Sequence, residues 1–326
     1  MSSSPSASSH DALLDELRPA AFAIAYRMLG SVAEAEDVVQ EALLRVHRTL
    51  EAGERLESPR AFVATITTRL AIDELRSARA RRERYVGDWL PEPILTDNRD
   101  DPAQHAEIAD SLSMAMLVLL ETLSPEQRAV LLLRDVFDYG YGEIAEIIGK
   151  NEDNVRQLAS RARAHVDAGR PRFESSREQR DELARRFFAA ATEGDLAGLE
   201  ALLAYDVVLT GDGGGKVPAL GHPVAGRARV AQTLMSWMRL GARIPGVSMR
   251  EVQVNGMPGA LLLDPDGRIV GVWELEIGGG EIRGVNSVVN PDKLAHLGPL
   301  ADMRALLRAS AAAGRGDVTS SDTTPH

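Results

Sequence analysis

The polar side chains best suited to chemistry lie within Gly142–Val166, whose pattern predicts two short helices joined by a tight turn. Gly149 ends the first helix, and Asn151 can cap the second. Apolar residues recur at intervals of three and four on the second helix. The side chains left facing outward are Arg156, Gln157, Arg161 and Arg163. In a helix-turn-helix, such a face enters the DNA major groove, where early residues meet base edges and later arginines meet phosphates. An ordinary helical hairpin with a solvated basic face fits this stretch equally well.

Other kinds of chemistry find little support in the 326-residue chain. The absence of cysteine excludes disulfides, thiol catalysis and the usual structural zinc sites, and the seven histidines lie scattered without metal-ligand spacing. The run Asp212–Lys216 (DGGGK) resembles a phosphate-binding loop only superficially. Thr210 and Val217 stand where that motif needs glycine and a hydroxyl residue. We therefore expect no metal, no cofactor and no nucleotide site.

Charge is distributed unevenly along the chain, whose net charge is −11. That net charge argues against a protein that coats nucleic acid non-specifically, because such binding relies on phosphate neutralisation. Residues Arg60–Arg84 nevertheless carry a net charge of +4, between acidic stretches of −4 (Ser31–Glu57) and −6 (Asp88–Asp110). A basic helix between two acidic stretches suits a protein that reaches DNA only when a partner presents it.

The first half of the chain is predicted to be helical, in segments whose starts are marked by capping residues. The predicted starts are Asp11, Val32 (after Ser31), Pro59 (after Ser58) and Pro125 (after Ser124). The residues expected to face inward on the helix after Ser58 are Phe62, Ile66, Leu70 and Leu75. Prolines and acids in Gly87–Pro102 predict a linker or an extended docking segment. A plain helical bundle with solvated charges is the alternative interpretation.

Beyond Gly169 the pattern changes to a mixture of helices and strands. Helices are predicted at Ser175–Thr192, from Gly194 to Leu203, and near Ala228–Leu240. The strand-like runs, separated by glycine-rich turns, are Val207–Thr210, Val247–Val254, Ala260–Leu263, Arg268–Ile277 and Glu281–Val289. This order predicts an α+β domain with helices on one face of a curved antiparallel sheet.

Three segments in the first 168 residues, taken together, resemble the extracytoplasmic-function (ECF) sigma factors of bacterial RNA polymerase. Tyr26–Val46 (YRMLGSVAEAEDVVQEALLRV) resembles the part of sigma region 2 that binds the polymerase clamp. Ser58–Arg84 resembles the part that reads the −10 element, and Leu123–Val166 resembles sigma region 4, which reads the −35 element. The linker WLPEP, the DGGGK loop and an NPDKL segment (Asn290–Leu294) resemble the subgroup with a fused SnoaL-like domain of the nuclear-transport-factor-two superfamily.

The resemblance implies roles for residues at matching positions. Core polymerase would contact Asp37, Gln40 and Glu41. The −10 element would contact Arg76, Arg79, Arg81 and Arg82. The −35 element would contact Asn154, Arg156, Gln157, Arg161 and Arg163. An interdomain regulatory surface that docks on the sigma core would contain Trp89, Leu90, Asp212, Gly213, Gly214, Gly215, Lys216, Asn290, Pro291, Asp292, Lys293 and Leu294. The linker carboxylates expected to imitate a nucleic-acid backbone are Asp97, Asp100 and Asp101.

The expected function is that of a promoter-specificity subunit without enzymatic activity. Its partners would be the β and β′ subunits of core RNA polymerase and promoter DNA, and its own C-terminal domain would regulate it in cis, with no obligatory anti-sigma protein. The alternative is a DNA-binding regulator fused to a SnoaL-like cyclase or isomerase. The candidate bases of such an enzyme are Asp206, Asp212, His222 and Glu274. An autonomous helix-turn-helix repressor is a third option.

The predicted organisation has six segments. They are a disordered tail (1–10), sigma region 2 (11–86), an acidic linker (87–110), sigma region 4 (111–168), a SnoaL-like domain (175–298) and a C-terminal tail (299–326). The chain has neither an apolar run long enough to cross a membrane nor a secretory signal pattern, so we expect a cytoplasmic protein without membrane contact.

Overall fold

A computed structural model describes residues 7–82, 85–96, 111–169 and 176–319, with side chains for 10–77, 85–96, 111–168 and 176–311. The chain divides into two compact units: Met1–Arg84 with Met116–Arg170, and Tyr85–Ala115 with Pro171–His326. The linker aspartates at 97, 100 and 101 lie outside the described residues. A helical first half followed by an α+β domain confirms the predicted fold class. No described helix combines the length and apolar character needed to cross a membrane.

Helices alone make up the described elements as far as Gly169. They are α1 (Ala7–Leu29), α2 (Val32–Glu51), α3 (Pro59–Arg82), α4 (Met114–Leu120), α5 (Pro125–Asp135), α6 (Tyr141–Ile148) and α7 (Glu152–Gly169). Helix α1 begins at Ala7, earlier than the predicted Asp11. Helix α2 begins as predicted because Ser31 Oγ accepts a hydrogen bond from the Glu34 amide at 3.2 Å.

The buried face of α3 differs from the prediction. The side chains that remain partly exposed are Phe62, Ile66 and Leu70. The side chains that are buried are Val63, Ala64, Thr67, Thr68, Ala71, Ile72 and Leu75. Helix α3 contacts α1 and α2 and also α5 and α6. Its buried arc is therefore wider than that of a helix packed on one side, and the arc is shifted by about one position.

The two helices predicted within Gly142–Val166 are present as α6 and α7. Gly149 ends α6 with a φ of 68°, a left-handed conformation that glycine adopts without Cβ strain. Asn151 Oδ1 accepts a hydrogen bond from the Asn154 amide at 2.8 Å and so caps α7. Apolar side chains of both helices pack with α5 in one cluster: Val130, Leu133, Ile144, Ile147, Val155 and Ala159.

Two arginines fasten this helix-turn-helix and its supporting helix α5 to the bundle of the same unit. Arg69 Nε donates to the carbonyl of Ile147 at 2.7 Å, and its Nη2 donates to that of Glu146 at 2.9 Å. These carbonyls belong to the last turn of α6, where helical partners are missing. Arg128 on α5 is 1% exposed, and its Nε donates to the carbonyl of Arg27 on α1 at 3.2 Å. Burial lowers the pKa of Arg128 to about 9.

The second unit combines helices with one six-stranded sheet. Its described elements are α8 (Arg177–Glu193), α9 (Leu196–Leu202), β1 (Leu203–Asp212), β2 (Val224–Ala225), α10 (Arg227–Ala242), β3 (Ser248–Val254), β4 (Met257–Leu263), β5 (Ile269–Gly278), β6 (Glu281–Val288), α11 (Pro291–Leu294) and α12 (Met303–Thr319). The strand order is β2-β1-β6-β5-β4-β3. Strand β1 pairs with β6 in parallel, so the sheet is mixed and the prediction of an antiparallel sheet was wrong. The chain returns to β1 only after α10 and the β3–β6 meander, which brings the last strand alongside the first.

Different parts of the chain pack on the two faces of this sheet. Helices α8, α9 and α10 pack on one face around a core that includes Phe187, Leu234 and Trp273. On the other face, Leu90 of the predicted linker and Met114 at the start of α4 join strand side chains in a second cluster. Residue Thr96 donates its amide to the carbonyl of Gln253 at 3.0 Å, beside edge strand β3. The described parts of the predicted linker are therefore integral to the α+β unit.

Candidate functional site

The predicted DNA-reading face lies on α7. Asn154, Arg156, Gln157 and Arg161 are exposed there. The guanidinium of Arg156 lies 4.5 Å from the ring centroid of Tyr141 and also pairs with Glu152. Stacking on a ring orients a guanidinium without removing its outward donors. The face can therefore offer both hydrogen-bond donors and positive charge to a duplex.

Arg163, the fifth residue predicted for this face, is held by the protein. Its Nε donates to Asp135 at 2.9 Å, its Nη2 makes a second bond to the same carboxylate, and Nη1 lies 3.4 Å from the Tyr141 hydroxyl. These bonds raise the pKa of Arg163 above its ordinary value. The arginine thus fixes α7 on α5 as well as lying near the proposed DNA face.

The basic end of α3 is only partly described. Arg76 pairs with Asp73 at 3.1 Å and with Glu126 at 2.6 Å, and the Glu126 carboxylate raises the pKa of Arg76. More than half of the Arg76 side chain remains exposed. Arg79, Arg81 and Arg82 lie on the α3 backbone, but their side chains lie outside the described residues. Their predicted contacts with the −10 element remain a prediction.

The predicted polymerase-binding residues share the exposed side of α2. Asp37 and Gln40 are exposed, and Glu41 pairs with Arg45 at 2.7 Å. Leu44 lies in the same stretch with 41% of its surface exposed. Its apolar surface lies among the charged side chains of this side of α2. The sequence analysis assigned Leu44 no role because helical periodicity alone does not separate an exposed leucine from a core leucine.

A buried ion pair organises the predicted regulatory surface. Lys293 Nζ lies 2.7 Å from Asp212 Oδ2, and the two side chains are 7% and 0% exposed. The second carboxylate oxygen, Oδ1, accepts a hydrogen bond from the Tyr85 hydroxyl at 2.5 Å. Oδ2 also accepts the amide of Leu90 at 2.9 Å, and Lys293 Nζ donates to the carbonyl of the same residue. We call these residues, together with Trp89 and Asn290, the clasp.

Aromatic rings close the clasp around the lysine. Lys293 Nζ lies 4.7 Å from the Tyr85 ring centroid and 4.4 Å from that of Trp89. Asn290 Nδ2 donates to the Tyr85 hydroxyl at 2.8 Å. A desolvated ammonium between two rings gains cation–π attraction in addition to its ion pair. Burial and the nearby Asp212 carboxylate raise the pKa of Tyr85, so this hydroxyl stays protonated and can donate.

The glycines of the DGGGK loop make room for this arrangement. A Cβ on Gly214 would lie 2.3 Å from Asn290 Nδ2, and Gly214 also has a φ of 58°. The Gly214 amide donates to Asp212 Oδ1 at 3.1 Å. Lys216 points away from the buried site and pairs with Asp292 on the surface. The predicted set therefore divides into a buried clasp and an exposed ion pair.

Several clasp and linker contacts were missed by the sequence analysis. Tyr85 lies two residues before the predicted linker and carried no motif. Asn255 has a φ of 53° and is fully buried; its Oδ1 accepts the Ile94 amide at 3.0 Å, and its Nδ2 donates to the carbonyl of Leu112 at 2.9 Å. His296 Nε2 lies 2.8 Å from the carbonyl of Pro93. An Asn-Gly pair at 255–256 was the one available signal, and it indicated a turn rather than a docking residue.

The candidate bases of the enzyme interpretation do not converge. Asp206 and His222 are exposed, and Asp212 is part of the clasp. Glu274 is fully buried on the linker-covered face of the sheet, where Asn286 Nδ2 donates to it at 2.8 Å and to Glu276 at 2.9 Å. Burial and the Glu276 carboxylate raise the pKa of Glu274 to about 8. Among the described residues, no group of three or more potential ligands could hold a metal ion.

Comparison with known proteins gives consistent matches over both halves of the chain. Residues 13–81 match the family model Sigma-70 region 2, and residues 113–166 match Sigma-70, region 4. The chain is 36% identical to the ECF RNA polymerase sigma factor SigJ of Mycobacterium tuberculosis over 300 residues, covering 89% of this chain and 95% of that protein. It is 32% identical over 275 residues to a probable ECF sigma factor, SigI, of the same organism, covering 83% of this chain and 90% of that protein. The crystal structure of M. tuberculosis SigJ superposes with a TM-score of 0.69 at 33% identity, covering 89% of this chain and 98% of that one.

Asp212→Asn is expected to lower the free energy of unfolding by about 3–5 kcal/mol, because Lys293 would keep a buried charge without its counter-charge. Urea denaturation followed by tryptophan fluorescence measures this change. Asp292→Asn is the matched control in the neighbouring surface pair with Lys216, and it is expected to change the same quantity by less than about 1 kcal/mol. Equal losses in the two variants would contradict a buried, energetically dominant clasp.

Glu274 predicts a pH dependence of stability. Between about pH 4.5 and about pH 8 the unfolded chain ionises this carboxyl while the folded protein keeps the proton, so the free energy of unfolding falls as pH rises through that window. Each unit of pKa difference corresponds to about 1.4 kcal/mol. Glu274→Gln, assayed by urea denaturation at several pH values, is expected to reduce this slope, and the part that remains comes from Glu276, whose pKa is also raised by burial. Asp206→Asn, an exposed carboxylate of the same unit, should leave the slope in place, and an unchanged slope in Glu274→Gln would refute the assignment.

Proposed function

This chain belongs to the ECF sigma factors of RNA polymerase, and we propose that it directs promoter-specific transcription initiation under the control of its own C-terminal domain. The family membership supports the first part, because similarity to SigJ extends over 89% of the chain. The clasp is the single observation that carries the second part. It attaches the segment that follows sigma region 2 to the C-terminal domain through buried charges.

Each exposed polar face suits one partner of an initiating polymerase. The acidic side of α2, with Asp37, Gln40, Glu41 and the exposed Leu44, suits the clamp of core polymerase formed by its β′ subunit. The basic end of α3, from Arg76 to Arg82, suits the −10 element. The exposed face of α7 suits the −35 element, with Arg156 and Gln157 at base edges and Arg161 at phosphates.

The position of the clasp supports the proposed control in cis. The segment Tyr85–Thr96 leads from region 2 toward region 4, so any arrangement of the sigma regions on polymerase depends on how far this segment can move. While Asp212 and Lys293 hold Tyr85, Trp89 and Leu90, the segment is fixed to the C-terminal domain. Opening the clasp would expose the Asp212 carboxylate and the Lys293 ammonium, which could then bind new partners. Under this proposal, control lies within the chain and no separate anti-sigma protein is required.

Transcription in vitro tests both parts. The full chain added to core polymerase is expected to produce transcripts from a cognate promoter and none from a scrambled one. A repressor or a fused enzyme would not confer this selectivity on core polymerase. Asp212→Asn is expected to raise promoter output because it releases the linker, whereas Asp292→Asn should behave as the unmodified chain. Promoter-selective transcription that is identical in the three proteins would refute control by the clasp and leave the sigma activity standing.

Variants on α7 test the DNA-reading assignment. Arg156→Ala or Gln157→Ala is expected to weaken binding of the holoenzyme to its own promoter by roughly 1–3 kcal/mol per lost base contact and to relax specificity. Arg161→Ala is expected to weaken binding to all sequences and to reduce the slope of log affinity against log salt by about one. Fluorescence anisotropy with cognate and scrambled duplexes separates the two patterns. Ser160→Ala, an exposed change on the same helix, is the control; loss of the same size in every variant would argue against a reading face.

A further inference from the structure

A large cavity lies in the α+β unit, on the face of the sheet opposite the clasp. Its volume is about 580 Å³, within the usual range for sites that bind small molecules. Trp237 and Met238 of α10 form one wall, and Trp273 of the sheet forms another. Met303 and Leu307 of the C-terminal helix α12 close a third side. Nothing in the proposed sigma activity uses this cavity.

The lining determines which ligands can bind. The wall is mostly apolar, and its described charged residues, Glu193 and Arg239, are both exposed side chains at the rim. A charged ligand would lose its hydration inside without finding a counter-charge. Trp237, which is partly exposed, offers an apolar ring surface to a ring-containing ligand, and the buried Trp273 ring packs beside it with a centroid distance of 6.1 Å. Ser287 supplies one buried hydroxyl that could orient a polar substituent.

A hydrogen bond fixes the C-terminal helix α12 over the cavity. Ser310 is fully buried, and its hydroxyl donates to the carbonyl of Leu240 at the end of α10 at 3.0 Å. This bond holds the apolar side of α12, with Met303, Leu306 and Leu307, against the opening. Ala309 on the same helix faces solvent. The helix therefore forms one wall of the cavity.

The cavity and the clasp meet at the C-terminal ends of strands β1 and β6. Gly211 at the end of β1 and Val289 just beyond β6 line the cavity, and the next residues, Asp212 and Asn290, belong to the clasp. The carbonyl of Asp212 accepts the amides of both Val289 and Asn290, at 2.9 and 3.0 Å. Because neighbouring residues of a strand point to opposite faces, a molecule that braces one face also fixes the position of the other.

We infer that this cavity binds a neutral, largely apolar, ring-containing small molecule, and that the bound molecule tightens the clasp across the ends of β1 and β6. The regulatory half of this inference rests on the proposed control in cis. The binding half does not, since it depends only on the cavity and its lining. Filling the cavity adds contacts to Gly211 and Val289 and so favours the clasped state.

The binding half is tested with Nile red, a neutral polycyclic dye, and the full-length chain. The dye is expected to show saturable, blue-shifted emission with a dissociation constant on the order of micromolar. Leu307→Asp places a charge in the wall and is expected to weaken binding at least about tenfold, an effect of about 1.4 kcal/mol. Ala309→Asp adds the same charge on the exposed side of α12 and should bind as the unmodified chain. Leu306→Gln, a neutral change of similar size in the same wall, is expected to weaken dye binding by less than Leu307→Asp does. It serves as a second test of the wall in case Leu307→Asp does not fold.

Two results would overturn the binding half: no saturation, or equal affinity in Leu307→Asp and Ala309→Asp when circular dichroism shows both to be folded.

The regulatory half is tested by amide hydrogen exchange of a peptide within residues 85–96, because the Leu90 amide is bonded to Asp212. Saturating dye is expected to slow this exchange in the unmodified chain and not in Leu307→Asp. Dye binding with unchanged or faster exchange would overturn the coupling, whereas the transcription assay with Asp212→Asn judges control by the clasp independently of any ligand.

Discussion

The α+β unit depends on the pairing of Asp212 with Lys293 beneath the rings of Tyr85 and Trp89. Two charges removed from water destabilise a protein unless each finds a partner and the remaining hydrogen-bonding groups are satisfied. Here the linker backbone and the Tyr85 hydroxyl complete that set, so neither charge is satisfied by the C-terminal domain alone. An interaction of this kind favours two discrete states over gradual loosening. A linker segment attached in this way is suited to a switch.

The helical unit divides its arginines between two tasks. Arg69 and Arg128 satisfy helix-end carbonyls, and Arg163 fixes one helix on another through Asp135. Arg161 remains exposed to solvent, and Arg156 also remains exposed although it pairs with Glu152 on the surface of the same helix. Using different arginines for the two tasks favours DNA binding. A guanidinium that is already paired with a carboxylate contributes less to the neutralisation of phosphate charges.

The sequence predicted the positions of the helices and strands well, but it predicted poorly which of them pack or pair with one another. Helix starts at Ser31 and Ser124, the turn at Gly149 and the main strands follow from local chemistry, which acts over a few residues. The shifted buried face of α3 and the parallel pairing of β1 with β6 depend on which distant segments meet, and periodicity contains no such information. The same reason explains the site. The DGGGK and NPDKL segments were selected by resemblance, but Tyr85 and Asn255 became visible only when the fold brought the linker onto the sheet.

The sequence separation within the clasp has a consequence for how the protein is made. Lys293 bonds to Leu90 across 203 positions of the chain, and Asn290 bonds to Tyr85 across 205. Translation therefore completes both sigma regions, as far as Arg170, before strand β1 has left the ribosome. Throughout that interval Tyr85, Trp89 and Leu90 emerge without the charges that will later hold them. A nascent chain thus passes through a period in which its sigma regions exist and the clasp does not, and the last strand and α11 end that period as they emerge.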